Sequence, residues 1–141
     1  EDYYAVVRHR NHFGVQVGSP IYYPTCDTIE TDFSTLLPID IYAYNGINAA
    51  RRLVSGKYVL WAGNGRIDYL LKYNGSVNDR SAILSVVGIS TPNNIVSGYL
   101  PTDYNMDGVV KYNGSANDRN VLLGNIGIST PSNVLTDQIA H

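Results

Sequence analysis

The chain has 141 residues, a formal net charge of −2 and only 16% charged side chains. So little basic charge argues against nucleic acid as a partner, because phosphate backbones demand a positive surface. No apolar run reaches the roughly 20 residues of a transmembrane helix, and the single cysteine, Cys26, leaves no intrachain disulfide or cysteine metal cluster. The 12 tyrosines, against 2 phenylalanines and 1 tryptophan, fit half-buried strands and contact surfaces. The chain opens at Glu1 rather than Met, the expectation for a processed or excised part of a longer precursor.

Asp2 to Arg10 alternates around tyrosine and valine, as a strand does. Phe13 to Tyr23 is a second strand, reached through Arg10-Asn11-His12 and limited by Pro20 and Pro24. Ile39 to Tyr44 and Leu53 to Trp61, the latter interrupted by Ser55-Gly56, are further strands. Residues 1–62 therefore read as a small antiparallel sheet that runs into residues 63–141 without a low-complexity linker. On a strand, His9 and His12 would point to opposite faces, which argues against a histidine metal site. The third histidine is His141, and no nucleophile, base and acid come together in the sequence, so no catalytic role is expected.

Residues 63–141 are organised by a repeat. Lys72-Tyr73-Asn74-Gly75-Ser76-Val77-Asn78-Asp79-Arg80 returns as Lys111-Tyr112-Asn113-Gly114-Ser115-Ala116-Asn117-Asp118-Arg119, and Gly88-Ile89-Ser90-Thr91-Pro92 as Gly127-Ile128-Ser129-Thr130-Pro131. The period is 39 residues, position 72 to position 111, giving copies over about 64–102 and 103–141. Two copies are too few for a solenoid and suit a pseudo-twofold pair around one core. In each copy an oxygen-rich loop ends at Asn78-Asp79 or Asn117-Asp118, which can cap a helix. Apolar stripes follow at helical spacing, Ala82, Ile83, Val86 and Val87, then Val121, Leu122 and Ile126. Gly88 and Gly127 stand where a C-cap glycine would. Thr91-Pro92 and Thr130-Pro131 predict a short second helix with Ile95 and Val96, or Val134 and Leu135, facing inward.

The loop of the second copy carries the chemistry. Asp103-Tyr104-Asn105-Met106-Asp107-Gly108 reads D-x-N-x-D-G, the opening of an EF-hand-type calcium loop. Asp103, Asn105 and Asp107 would supply side-chain oxygens and Val109 its carbonyl; such hard oxygen ligands suit Ca²⁺. Gly114 stands where a standard loop has its closing acid, so Tyr112-Asn113-Gly114-Ser115 is read as an inserted turn and Asp118 as the closing ligand. The first copy aligns as Asn64, Arg66 and Asp68, with Tyr69 in place of the glycine and Asp79 at the close. Asn64, Asp68 and Asp79 form a second, weaker metal site; alternatively Arg66 replaces the ion and pairs with Asp68 or Asp79.

A duplicated calcium loop, each followed by a helix opened by an aspartate, resembles a dockerin. Trp61-Ala62-Gly63-Asn64 and the Lys-Tyr-Asn-Gly-Ser segments look still more like a dockerin-like module found at the C-terminal ends of large secreted proteins of certain Gram-negative bacteria. Tyr4 to His12 is similar to the strand that leads into that module. The resemblance covers most of the chain. With the strands read in residues 1–62, the expected fold is α+β, a small N-terminal antiparallel sheet packed on a dockerin-like duplicated calcium-loop and helix unit. The resemblance implies calcium as a structural ion, with ligand roles for Asp103, Asn105, Asp107, Val109 and Asp118, and a role in anchoring or assembly in an extracellular or cell-surface setting. The four-residue insertions and the altered first loop depart from the cellulosomal pattern. Asp27-Thr28-Ile29 looks like a bacterial O-glycosylation tripeptide with Thr28 as acceptor. The expected function is a non-enzymatic structural or assembly module, whose partner is itself, by strand addition into an oligomer or polymer, or another cell-surface protein. The alternatives are a dockerin-type adaptor for a cohesin-like receptor and a carbohydrate-binding module.

Overall fold

The computed structural model describes residues 2–22, 28–43, 51–136 and 139–140. It is a mixed α+β fold with two helices and several two-stranded antiparallel sheets. The chain divides into two compact units, Glu1–Arg8 with Phe13–Leu60 and Asp137–His141, and His9–His12 with Trp61–Thr136. A hairpin of β1 (Val6–His9) and β2 (His12–Gln16) contributes its arms to the first unit and its turn to the second.

In the first unit the pairing of the hairpin runs on past β2, through Val17 N–H to Ala5 O at 3.0 Å and a bridge between Tyr3 and Ile21. A 3-10 turn, Pro38–Asp40, is followed by Ile41, which bridges to Val17. Ile39 to Tyr44 is therefore not a strand: Pro38 starts a turn, and Asp40 fastens it by accepting the Leu37 N–H at 3.2 Å. Tyr44 lies outside the described residues, as do Tyr23, Cys26 and Asp27. Leu53 to Trp61 is likewise not one strand. Ser55 and Gly56, at φ 50° and 80°, form a tight turn between β3 (Arg51–Val54) and β4 (Lys57–Leu60), in the register Val54 opposite Lys57. β1–β2 and β3–β4 are separate two-stranded sheets rather than one. Phe13, Val15, Val17 and Ile41 are buried, and Phe33, Leu36 and Leu60 pack on Val15 and Ile41.

The second unit is a pseudo-twofold pair. Asn78 caps α1 (Asp79–Val87) by accepting the Ser81 N–H at 2.8 Å, and Asn117 caps α2 (Asp118–Ile126) by accepting the Asn120 N–H at 2.9 Å. The buried apolar residues come as equivalents one period apart: Leu71 and Val110, Ile83 and Leu122, Val87 and Ile126. The strands cross between copies. β5 (Leu70–Lys72) pairs with β8 (Val134–Thr136), and β6 (Ile95–Ser97) with β7 (Val109–Lys111). Leu70 opposite Thr136 matches Val109 opposite Ser97, so the two ladders are the same ladder repeated.

These strands replace the short second helices that Thr91-Pro92 and Thr130-Pro131 predict. The Thr91 hydroxyl donates backwards to Val87 O at 3.1 Å, sealing the end of α1 instead of capping a new helix. One turn follows, with Asn94 N–H on Thr91 O at 2.9 Å, and the chain becomes extended at β-branched Ile95-Val96. Ile95 and Val134 face outward, 63% and 48% exposed.

One position breaks the symmetry. Tyr104 is buried in the second copy, and its hydroxyl donates to Asp79 O at 3.0 Å. Its equivalent is Gly65, where a Cβ would run into the Tyr104 hydroxyl and lie 2.9 Å from Cε1 and Cζ. A single tyrosine ring uses the space that two symmetry-related side chains would contest. Gly65→Ala should cost about 1–3 kcal/mol in urea unfolding, as overpacking does. The same change in a Tyr104→Leu background should cost less than half as much; equal costs would show that the two positions do not compete.

Candidate metal centre

The 103–118 loop is built around two fully buried carboxylates, Asp103 and Asp118. Asp103 Oδ1 accepts the Asp107 N–H, and Oδ2 the Gly108 N–H, both at 3.1 Å. These bonds curl the chain on itself, helped by left-handed Met106 and Gly108 at φ 61° and 81°. Asp118 closes the curl from the first turn of α2. Its Oδ1 accepts from Tyr104 N at 2.7 Å and Asn105 N at 3.3 Å, and its Oδ2 from Lys111 N at 2.8 Å. Asp107 Oδ1 accepts the Val109 N–H at 2.9 Å, while Asn105 Nδ2 donates to Asp107 Oδ2 at 3.0 Å. Asp103, Asn105, Asp107, Val109 and Asp118 thus belong to one hydrogen-bonded loop.

The first copy repeats the frame. Asn64 Oδ1 accepts the Asp68 N–H at 3.1 Å, where Asp103 receives Asp107. Asp79 accepts from Arg66 N at 3.3 Å and Lys72 N at 2.9 Å, where Asp118 receives Asn105 and Lys111. Asn64, Asp68 and Asp79 are therefore connected through the backbone. Arg66 Nε also pairs with Asp68 Oδ2 at 3.2 Å, so the guanidinium chooses Asp68 of its two acidic neighbours. Tyr69, the equivalent of Gly108, does not share its left-handed φ and stands 58% exposed. Ile67, at φ 54°, matches its equivalent Met106, at 61°, so the left-handed residue two positions earlier is kept in both copies.

The hairpin turn supplies partners that the loop motif does not contain. Asn11 is fully buried; its carbonyl accepts from Gly63 N at 2.9 Å and Asn64 N at 3.0 Å, and its Nδ2 donates to Asp103 O. Asn11 therefore joins the first residues of both loops. Arg10 reaches Asp103 Oδ2 at 3.3 Å and Leu100 O at 3.4 Å, with its guanidinium 5.3 Å from the centroid of the Tyr99 ring. No local pattern marks Arg10 or Asn11, since Asp103 is 93 and 92 positions away. His9 and His12 meet rather than diverge, with Nδ1 atoms 2.8 Å apart. They are not on one continuous strand: they flank the turn, so they face each other across the hairpin.

Burial pushes Asp79 up to about 6 despite the two backbone N–H bonds that favour its charged form. Burial also raises Asp118, opposed by its three backbone donors and reinforced by the charge of Asp103. Among the described residues, no three His, Cys, Asp or Glu side chains form a group that could hold a metal ion. Thr28 is exposed.

No protein-family model, curated protein or solved structure matches this chain.

His12 is held down at about 4 by burial, by His9 and by Arg10. A depressed histidine leaves the unfolded chain with more bound protons between about pH 4 and 6.5, so its contribution to stability rises with pH across that window. Asp79 acts in the opposite sense: between about 4 and 6 the native chain holds more protons, and stability falls as pH rises. The two offset each other in a melting curve. Site-resolved NMR titration separates them, with the His12 ring expected to titrate near 4 and the Asp79 carboxyl near 6. Ordinary values at both positions would show that neither group is held by its burial.

Proposed function

We propose that this chain is a non-enzymatic, calcium-binding structural module of an extracellular or cell-surface protein, and that the 103–118 loop is its ion site. The observation that carries this reading is the pair of fully buried carboxylates, Asp103 and Asp118, on one loop. Their charges oppose each other, and the single Arg10 guanidinium on Asp103 balances one of the two at most, so burying both is costly. A hard divalent cation would relieve that cost by drawing together carboxylates that do not stand as a metal-holding group in this structure, and the donor set has the right chemistry for it. Asp103, Asp107 and Asp118 offer carboxylate oxygens, Asn105 an amide oxygen and Val109 a carbonyl. The ion would supply positive charge and hold loop to helix.

The first loop, through Asn64, Asp68 and Asp79, is the weaker candidate. Asn64 brings no charge, and Arg66 already neutralises Asp68. The dockerin-like arrangement of two loops and two helices supports the same reading, since the duplicated frame is kept in both copies down to individual amide bonds.

The assembly role rests on β1. Val6 and Val7 are 42% and 40% exposed, Tyr3 and Tyr4 52% and 44%, and β1 lies in a two-stranded sheet. An exposed apolar edge of this kind accepts a further strand, from another copy or from another surface protein.

Calcium should raise the melting temperature of the chelator-treated protein, by the equivalent of about 2.7 kcal/mol at one hundred times Kd. Isothermal titration should count one tight ion in wild type and none in Asp103→Asn or Asp118→Asn, with Asp79→Asn retaining it. A melting temperature unmoved by excess EGTA, in protein first shown to be free of metal, would refute the calcium reading. Sedimentation velocity with and without calcium tests the assembly role: a monomer at every concentration excludes self-association.

A further inference from the structure

The 103–118 loop is not electrically alone, because the turn of the β1–β2 hairpin places a guanidinium on its first carboxylate. Arg10 pairs with Asp103 Oδ2, and the position is fixed from three sides. Leu100 O accepts from Nε at 3.4 Å, the Tyr99 ring lies under the guanidinium, and the neighbouring Asn11 is anchored to Asp103 O. Arg10 is about one-third exposed and Asp103 is fully buried, so solvent screens the pair only in part. Asp103 does not need Arg10 for its orientation. The Asp107 and Gly108 amides already hold one oxygen each, both at 3.1 Å.

We infer that Arg10 is a resident counter-cation of this loop, which lowers its affinity for calcium by competing for Asp103. This rests on the calcium reading above and adds its regulation. The first loop carries the same device within its own sequence, where Arg66 pairs with Asp68 at 3.2 Å. Each loop thus has one guanidinium on one of its acids, drawn from the loop in the first copy and from the hairpin turn in the second. Linkage makes the effect reciprocal: whatever Arg10 takes from calcium affinity, calcium takes from the hold of Arg10 on the loop.

The test compares calcium affinity by isothermal titration in wild type, Arg10→Gln and Arg10→Lys at 0.1 M salt. Removing the charge should tighten binding about tenfold, given two positive centres a few ångströms apart in a partly screened site. Arg10→Lys should stay within about threefold of wild type, and the gap between wild type and Arg10→Gln should narrow at high salt. A merely structural arginine would weaken binding in both variants and show no such salt dependence. Binding in Arg10→Gln that is equal to or weaker than wild type overturns the proposal and leaves the calcium reading intact. Absence of binding in all three chains overturns both. Should Arg10→Gln fail to fold, wild type suffices. Calcium should shift the Arg10 Nε–H NMR signal and speed its exchange with water, and a signal that calcium does not move refutes the competition.

Discussion

A carboxylate in the first turn of each helix, Asp79 in α1 and Asp118 in α2, accepts main-chain N–H groups from the loop that precedes it. The rest of the second unit depends on this contact. Asp118 takes donors from Tyr104 and Asn105 at the start of its loop and from Lys111 near the middle. One side chain therefore sets the path of the loop, the entry angle of the helix and the position of β7. Asp79 does the same for β5 through Lys72. Such bonds are strong because the acceptor is ionised, yet burial favours the protonated form. The unit thus holds its shape with groups whose charge is expensive to bury, a pattern that clusters at functional sites.

Around that symmetric frame the two copies divide their work. Tyr104 fills the space that Gly65 leaves, so one ring serves both halves of the core. Asp103 gains a guanidinium from Arg10, and Asp68 one from Arg66. Asn11, buried between the first residues of the two loops, satisfies amides of one and the carbonyl of the other. A fully buried asparagine is tolerable only when its polar atoms are paired, and here both ends of the amide are used, Nδ2 on Asp103 O and Oδ1 near His9 Nδ1 at 3.0 Å.

Much of this unit is written locally. Asn-Asp before an apolar stripe and Gly after it marks each helix, because capping and periodicity are properties of neighbouring residues. The D-x-N-x-D-G spacing likewise brings Asp103, Asn105 and Asp107 into one curl. The strands β6 and β8 are harder to read. Thr-Pro can open a helix or seal the previous one, and the choice is made by pairing with the other copy. His9 and His12 diverge only on a continuous strand; a two-residue turn between them reverses which side chains share a face. Arg10, Asn11 and the Gly65–Tyr104 exchange are invisible to any local pattern, since each gains its meaning from a residue distant in sequence.

The crossed ladders also govern the order in which the chain can fold. Among the described residues neither copy of the repeat contains a sheet of its own: β5 waits for β8, late in the second copy, and β6 waits for β7. Helix α1 can form early, but its unit gains its first long-range ladder only when Val109–Lys111 arrives and its second only at Val134–Thr136. Non-local closure of this kind carries a chain-entropy cost and slows folding. During synthesis the first copy, with its exposed apolar residues, must remain unfinished until nearly the last residue of the second has been made. A truncation that removes β8 would therefore cost not a terminal strand but the ladder on which the first copy depends.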